Sequence, residues 1–191
     1  YEDFYALCER IKDSGEIAIA WSGKSNTGYS SALLDALHAD YEGAKQMSLN
    51  YTFSGTAENI VTSIENGVAQ VTAVPNITSQ TGYTVYKQAG RYYALDFFEH
   101  MMDDKYYSDK IFNKQTVTHV DAQNYFVINN EYGGTSIGQD IAMLIEGTWW
   151  YNEAYNAFKS IENRGGGQYD RKFGVLPMPK ATAEKADSDK G

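Results

Sequence analysis

Asp140-Ile-Ala-Met-Leu-Ile-Glu-Gly-Thr-Trp-Trp-Tyr-Asn152 is an apolar run that stops abruptly at Glu146-Gly147 and delivers three aromatic residues in a row. Its first half reads as a buried strand, with Gly147 as the residue that permits a sharp turn. Trp149, Trp150 and Tyr151 are amphipathic plates: their rings fit the C–H face of a pyranose while N–H and O–H groups reach polar partners. Adjacent residues of a helix do not share a face, so one indole is expected to pack and the other to project. Glu146 has two readings. Its carboxylate can accept from paired sugar hydroxyls, or it can sit as a charge stabilised at the start of the helix predicted over 148–161.

Outward from this stretch the chain alternates helices and strands, which predicts an α/β layer arrangement. Phe4, Leu7, Cys8 and Ile11 recur at helical spacing, so residues 2–13 form an amphipathic helix with Gly15 near its end. Residues 17–21 read as a short buried strand. The polar segment 22–28 follows it, and in open α/β sheets ligands sit where a strand ends in this way. Trp21, Ser22, Lys24, Asn26 and Tyr29 are therefore candidate contacts, with a solvated loop anchored by Tyr29 as the alternative. A helix is predicted over 29–38. Glu65-Asn66-Gly67 predicts a type I′ turn joining two strands, 59–64 and 68–73. Further helices are expected over 91–104 and 118–126, a mobile connection over 129–138, a loop over 164–168, a final strand over 173–176 and an untethered tail over 181–191.

Composition narrows the function. The 191 residues carry a net charge of −9 with no clustered Lys or Arg, which excludes a phosphate-binding, nucleic-acid role. No apolar run approaches the ~18 residues needed to cross a bilayer. The chain opens on Tyr1 inside a helical pattern, so an excised or mature portion is expected. Its single cysteine, Cys8, lies on the apolar helix face and reads as a small buried hydrophobe. Aromatics make up 14% of the residues, more than a core of this size demands, so some rings should be displayed. His38, His100 and His119 have no second ligand at metal spacing and are read as structural or surface residues; no metal and no cofactor are expected. No nucleophile elbow or zinc-protease motif is present, and catalysis is the less favoured class.

Ala142-Met143-x-x-x-Gly147-x-Trp149 resembles the "AM…(D/N)G(S/P)W" signature of family 1 extracellular solute-binding proteins of bacterial ABC importers. Three further segments agree in order. Tyr1-Glu-Asp-Phe-Tyr-Ala-Leu-Cys-Glu-Arg-Ile-Lys-Asp-Ser-Gly15 with Ile17-Ala-Ile-Ala-Trp21 is similar to a helix and strand of that family. Ala94-Leu-Asp-Phe-Phe98 with Asp104-Lys-Tyr-Tyr107 is similar to a second helix, and Phe173-Gly-Val-Leu-Pro-Met-Pro179 to its crossover strand. The segments 127–140 and 51–73 depart from the pattern. The resemblance implies a mixed-sheet lobe of a type II periplasmic-binding-protein fold with an inserted β-hairpin. It makes residues 1–176 the second lobe and 177–191 a crossover segment and tail toward a first lobe that is missing. It further implies a monomeric, extracellular, lipid-anchored or periplasmic component that binds a sugar, oligosaccharide or other small solute and presents it to permease subunits. Glu146, Trp149, Trp150 and Tyr151 would be its ligand contacts. A secreted carbohydrate-active enzyme and a non-transport recognition module are the alternatives.

Overall fold

The computed structural model describes residues 1–22, 26–108, 112, 116–128, 131–132, 135–136, 138–163 and 172–188, without the side chains of 26, 27, 131, 132, 135, 136, 161, 163, 187 and 188. In chain order the elements are α1 (Glu2–Asp13), β1 (Ile17–Ala20), α2 (Asn26–Thr52), β2 (Gly55–Glu65), β3 (Val68–Ile77), a 3-10 helix (Gly82–Lys87), α3 (Ala89–Asp103), α4 (His119–Ile128), β4 (Glu131–Tyr132), β5 (Thr135–Ser136), β6 (Ile141–Leu144), α5 (Trp150–Glu153), α6 (Tyr155–Asn163) and α7 (Ala183–Ser188). The protein is mixed α/β, with parallel and antiparallel strand pairs. It divides into two compact units, one of Glu2–Tyr29 and Met101–Pro177, the other of Tyr1, Ser30–His100 and Met178–Gly191.

In the first of these units, α1 carries Glu2 and Asp3 in its first turn and Arg10 and Lys12 in its last, both favourable to the helix dipole. It ends in a Schellman motif: Glu16 N–H donates to the Ile11 carbonyl and Gly15 N–H to that of Lys12. Gly15 has φ +88°, which that motif requires and which a β-carbon disfavours. Cys8 is buried, and burial pushes its thiol up to about 12, so it behaves as a hydrophobe. All four residues of β1 are buried, as expected of a strand with neighbours on both edges. β6 pairs with it in parallel, Ile17 opposite Ile141 and Ala20 opposite Leu144, and Tyr107 bridges its other edge at Ile19. The core gathers Ile17, Ala20 and Ile141 against Phe126 and Val127 of α4 and Ala154 and Ala157 near α6.

In the other unit, α2 runs well past the predicted 29–38 and kinks at Gly43, whose φ is +74°. The hairpin is present and longer than predicted, β2 antiparallel to β3. Asn66 and Gly67 both have positive φ, as a type I′ turn demands. Its inner face closes on Leu49, Ala57, Ile60, Ile77 and Val85. Beneath it, Gln88 is fully buried: Nε2 donates to the Gln46 carbonyl (3.1 Å), while Oε1 accepts from Asn50 Nδ2 (2.8 Å) and lies 3.2 Å from His38 Nε2. Glu42 accepts from Gly90 N–H (2.8 Å) and Asn59 Nδ2 (2.9 Å).

Three expectations are corrected. Residues 173–176 form no strand: their backbone has no regular structure and Val175 is 95% exposed, because no described strand lies beside them to pair with. The tail is docked as far as it is described, since Lys180 pairs with Asp40 at 2.6 Å and the Lys185 ammonium lies 4.6 Å from the Tyr41 ring centre. The helix predicted over 148–161 is two helices, with buried Ala154 between them. Within the expected mobile connection, β4 and β5 pair as a short antiparallel ladder. The predicted loop over 164–168 lies outside the described residues.

Candidate functional site

Parallel strands β1 and β6 end on the same side, β1 at Trp21-Ser22 and β6 at Ile145-Glu146. Helix α4 is fixed beside this edge by two local devices. Thr118 and Asp121 form a reciprocal cap: the Asp121 carboxylate accepts from Thr118 N–H (2.9 Å), and Asp121 N–H donates to Thr118 Oγ1 (3.2 Å). Ser22 Oγ donates to the Val117 carbonyl (3.0 Å), tying the end of β1 to the start of α4. From Ala122 to Ile128 every residue of α4 is buried, so polar Gln123 must find its partners inside the protein.

Those partners are two carboxylates. Gln123 Nε2 donates to Glu146 Oε1 (2.7 Å) and to Glu153 Oε2 (2.8 Å). Glu146 Oε2 also accepts from Gly147 N–H (3.0 Å), and the Tyr29 hydroxyl donates to Glu146. His119 Nε2 stands 3.8 Å from Glu153 Oε2, and the His119 ring stacks on Tyr29 with 5.7 Å between centres. Tyr29, Glu146, Gln123, Glu153 and His119 thus form a closed ring of contacts. Burial first, then the Glu146 bond, pushes the Tyr29 phenol well above its ordinary range, so it remains a donor.

Trp149 caps this ring. Its indole N–H faces the Tyr29 oxygen, and 52% of the residue stays exposed. Its six-membered ring occupies the space where a β-carbon on residue 147 would stand. That corrects the reason for Gly147: its φ is not positive, and the position needs the absence of a side chain more than a special turn. Trp150 turns the other way and packs on Phe126, Phe158 and Phe173, so one indole packs and its neighbour projects.

The remaining candidates divide. Tyr151 is exposed and rests on Phe158. Trp21, expected among the ligand contacts, is an interior residue at 1% exposure with its ring on Phe112. Ser22 is likewise buried, its hydroxyl committed to α4. Asn26 opens α2, and its side chain, like Lys24, lies outside the described residues. At the start of α5, Trp150 N–H donates to the Gly147 carbonyl, and the helix has only four residues. Gln123 and Glu153 were not singled out from the sequence, and His119 was read there as a structural or surface residue. No local signal marked Gln123, which stands in the polar stretch Asp121-Ala-Gln-Asn124.

A shallow pocket of about 360 Å³ opens at the opposite, amino edge of the same strands, lined by Lys12, Glu16, Lys105, Tyr106, Ser108 and Gln139 among others. Lys12 is already engaged there with the Asp104 carbonyl (2.6 Å) and Glu9 (3.1 Å), and the carboxyl edge is the better candidate for recognition. Among the described residues no group of three or more His, Cys, Asp or Glu is placed to hold a metal ion, and no helix is long and apolar enough to cross a membrane. Comparison with protein-family models, with curated proteins and with solved structures gives no match to this chain.

Proposed function

We propose that the carboxyl edge of β1 and β6 is a saccharide-recognition site and that the chain acts as the extracellular solute-binding component of an ABC importer. The observation that carries this reading is Trp149: a half-exposed indole, its N–H toward Tyr29, standing beside two hydrogen-bonded carboxylates at a strand edge. A sugar offers what such a site needs, a C–H face for the ring and hydroxyl pairs for Glu146 and Glu153. In the type II periplasmic-binding-protein arrangement, ligand contacts from both lobes favour closure, and the closed form engages permease subunits. The acidic chain suits neutral or cationic solutes.

Binding is favoured over hydrolysis by one feature. A glycosidase keeps the space between its two carboxyl groups for the glycosidic oxygen or an attacking water. Here the Gln123 amide holds both carboxylates at once. The test is calorimetry of the chain against a panel of neutral mono- and oligosaccharides, with Trp149→Ala beside it. Saturable binding is expected, weakened about tenfold, or ~1.4 kcal/mol, in the variant. Absence of binding across the panel, or turnover of a chromogenic glycoside abolished by Glu146→Gln, contradicts the reading.

A further inference from the structure

The ring around Gln123 carries more negative charge than its own protein partners answer. Both carboxylates meet at one neutral amide nitrogen, and among the described residues neither is paired with Lys or Arg. The basic group beside them is His119, at 3.8 Å from Glu153. Two like charges in reach of one atom repel each other, and a cation placed there gains from both.

The acceptor inventory singles out Glu153. Glu146 already accepts from Gln123, Gly147 and Tyr29. Among the described residues Glu153 accepts only from Gln123 and lies near His119, although a carboxylate has about four lone-pair sites to fill. Its side chain is partly exposed and open to a ligand. A second, independent feature agrees. Gln123 is fully buried, yet its Oε1 has no hydrogen-bond partner among the described residues. Native proteins complete such acceptors, so one left over inside a polar cluster marks a cluster that the protein alone does not finish.

Resting on the saccharide reading of the same site, we infer that the preferred ligand is a saccharide bearing a protonated amino group, its ammonium on Glu153 with Glu146 alongside and its ring on Trp149. The ammonium has three donors, which fits the unfilled acceptor capacity. Its charge is attracted to the indole face as well as to the acids. A neutral hydroxyl at the same ring carbon gains from neither effect to the same degree.

The test uses three β-1,4-linked trisaccharides that differ only at the second ring carbon: the free amine, the hydroxyl and the N-acetyl forms. They are titrated calorimetrically into the full chain at a pH where the amine is protonated. The amine form should bind about tenfold more tightly than both neutral forms, as a charge-assisted hydrogen bond at a partly exposed site allows. Glu153→Gln should remove that preference, so that the amine form binds no more tightly than the hydroxyl form. Should this variant also lower the melting temperature, salt supplies the second readout: the wild-type preference must shrink as ionic strength rises. Equal binding of all three forms, or a preference that survives both Glu153→Gln and high salt, overturns this inference while leaving saccharide recognition intact. Failure of every form to bind overturns both.

Discussion

Each unit of the protein is organised around a fully buried glutamine, and the two glutamines are satisfied to different degrees. Gln88 uses its amide completely, with Nε2 on the Gln46 carbonyl and Oε1 shared by Asn50 and His38. Gln123 spends Nε2 on two carboxylates and leaves Oε1 without a partner among the described residues. A closed polar network in a core fixes architecture. An open one, at a strand edge beside a displayed indole, leaves room for a guest. Glu42 illustrates the closed case, with both oxygens occupied; Glu153, with one strong donor, illustrates the open one.

The largest effect that separates the two is on stability. Gln88→Ala strands three polar partners, two of them buried, and opens a cavity, so it should destabilise the fold by about 3 kcal/mol. Gln123→Ala frees two carboxylates that solvent can reach, and should cost about 1 kcal/mol. Urea denaturation of both variants checks the ranking, and equal losses would erase the distinction drawn here.

A second substitution acts on the site with little effect elsewhere. In Gly147→Ala the new methyl group collides with the Trp149 ring, so the indole must leave its seat. Saccharide affinity should fall about tenfold, or ~1.4 kcal/mol, with the melting temperature nearly unchanged. Retained affinity would mean that the seat of the indole is irrelevant to binding.

The closed network also predicts a pH response. Burial lowers the His38 pKa, so the unfolded chain binds the proton first. The stability that neutral His38 contributes is present above the ordinary imidazole range and is lost as pH falls through it toward the folded value. A decline in stability is expected there, absent in His38→Gln. Glu42 has the opposite sense: burial raises its pKa, and the stability due to its protonated form is lost as pH rises through the folded value. Denaturant midpoints measured across the acidic range, with and without each side chain, resolve the two. The smallest effect is expected for Tyr29→Phe, about 0.5–1 kcal/mol, because one hydrogen bond to a partly solvated carboxylate is removed.

Much of this architecture was legible because local rules agreed with the fold. The periodicity of α1, the buried run of β1 and the Asn66-Gly67 turn each match the structure closely. Where tertiary context decides, reading failed. Residues 173–176 are apolar, yet a strand exists only where another strand pairs with it. The extension of α2 beyond His38 includes Gly43, whose positive φ breaks the helical pattern within a longer element. At the site, the adjacency of Trp149 and Trp150 correctly implied opposite directions, while Trp21 looked available only because nothing local reveals that it is buried with its ring on Phe112. His119 and Gln123 share a face of α4 at i, i+4, but they meet Tyr29, Glu146 and Glu153 only through tertiary packing, so no spacing rule connects the whole set.

The claim on which the rest stands is that Trp149, and not the interior Trp21, meets the ligand. Indole N–H resonances of the three tryptophans, assigned with Trp149→Phe and Trp21→Phe, report this one residue at a time during titration with an oligosaccharide. The account predicts that the Trp149 signal moves and saturates with the calorimetric affinity while the Trp21 signal stays in place. A static Trp149 signal in the presence of a bound sugar would contradict it.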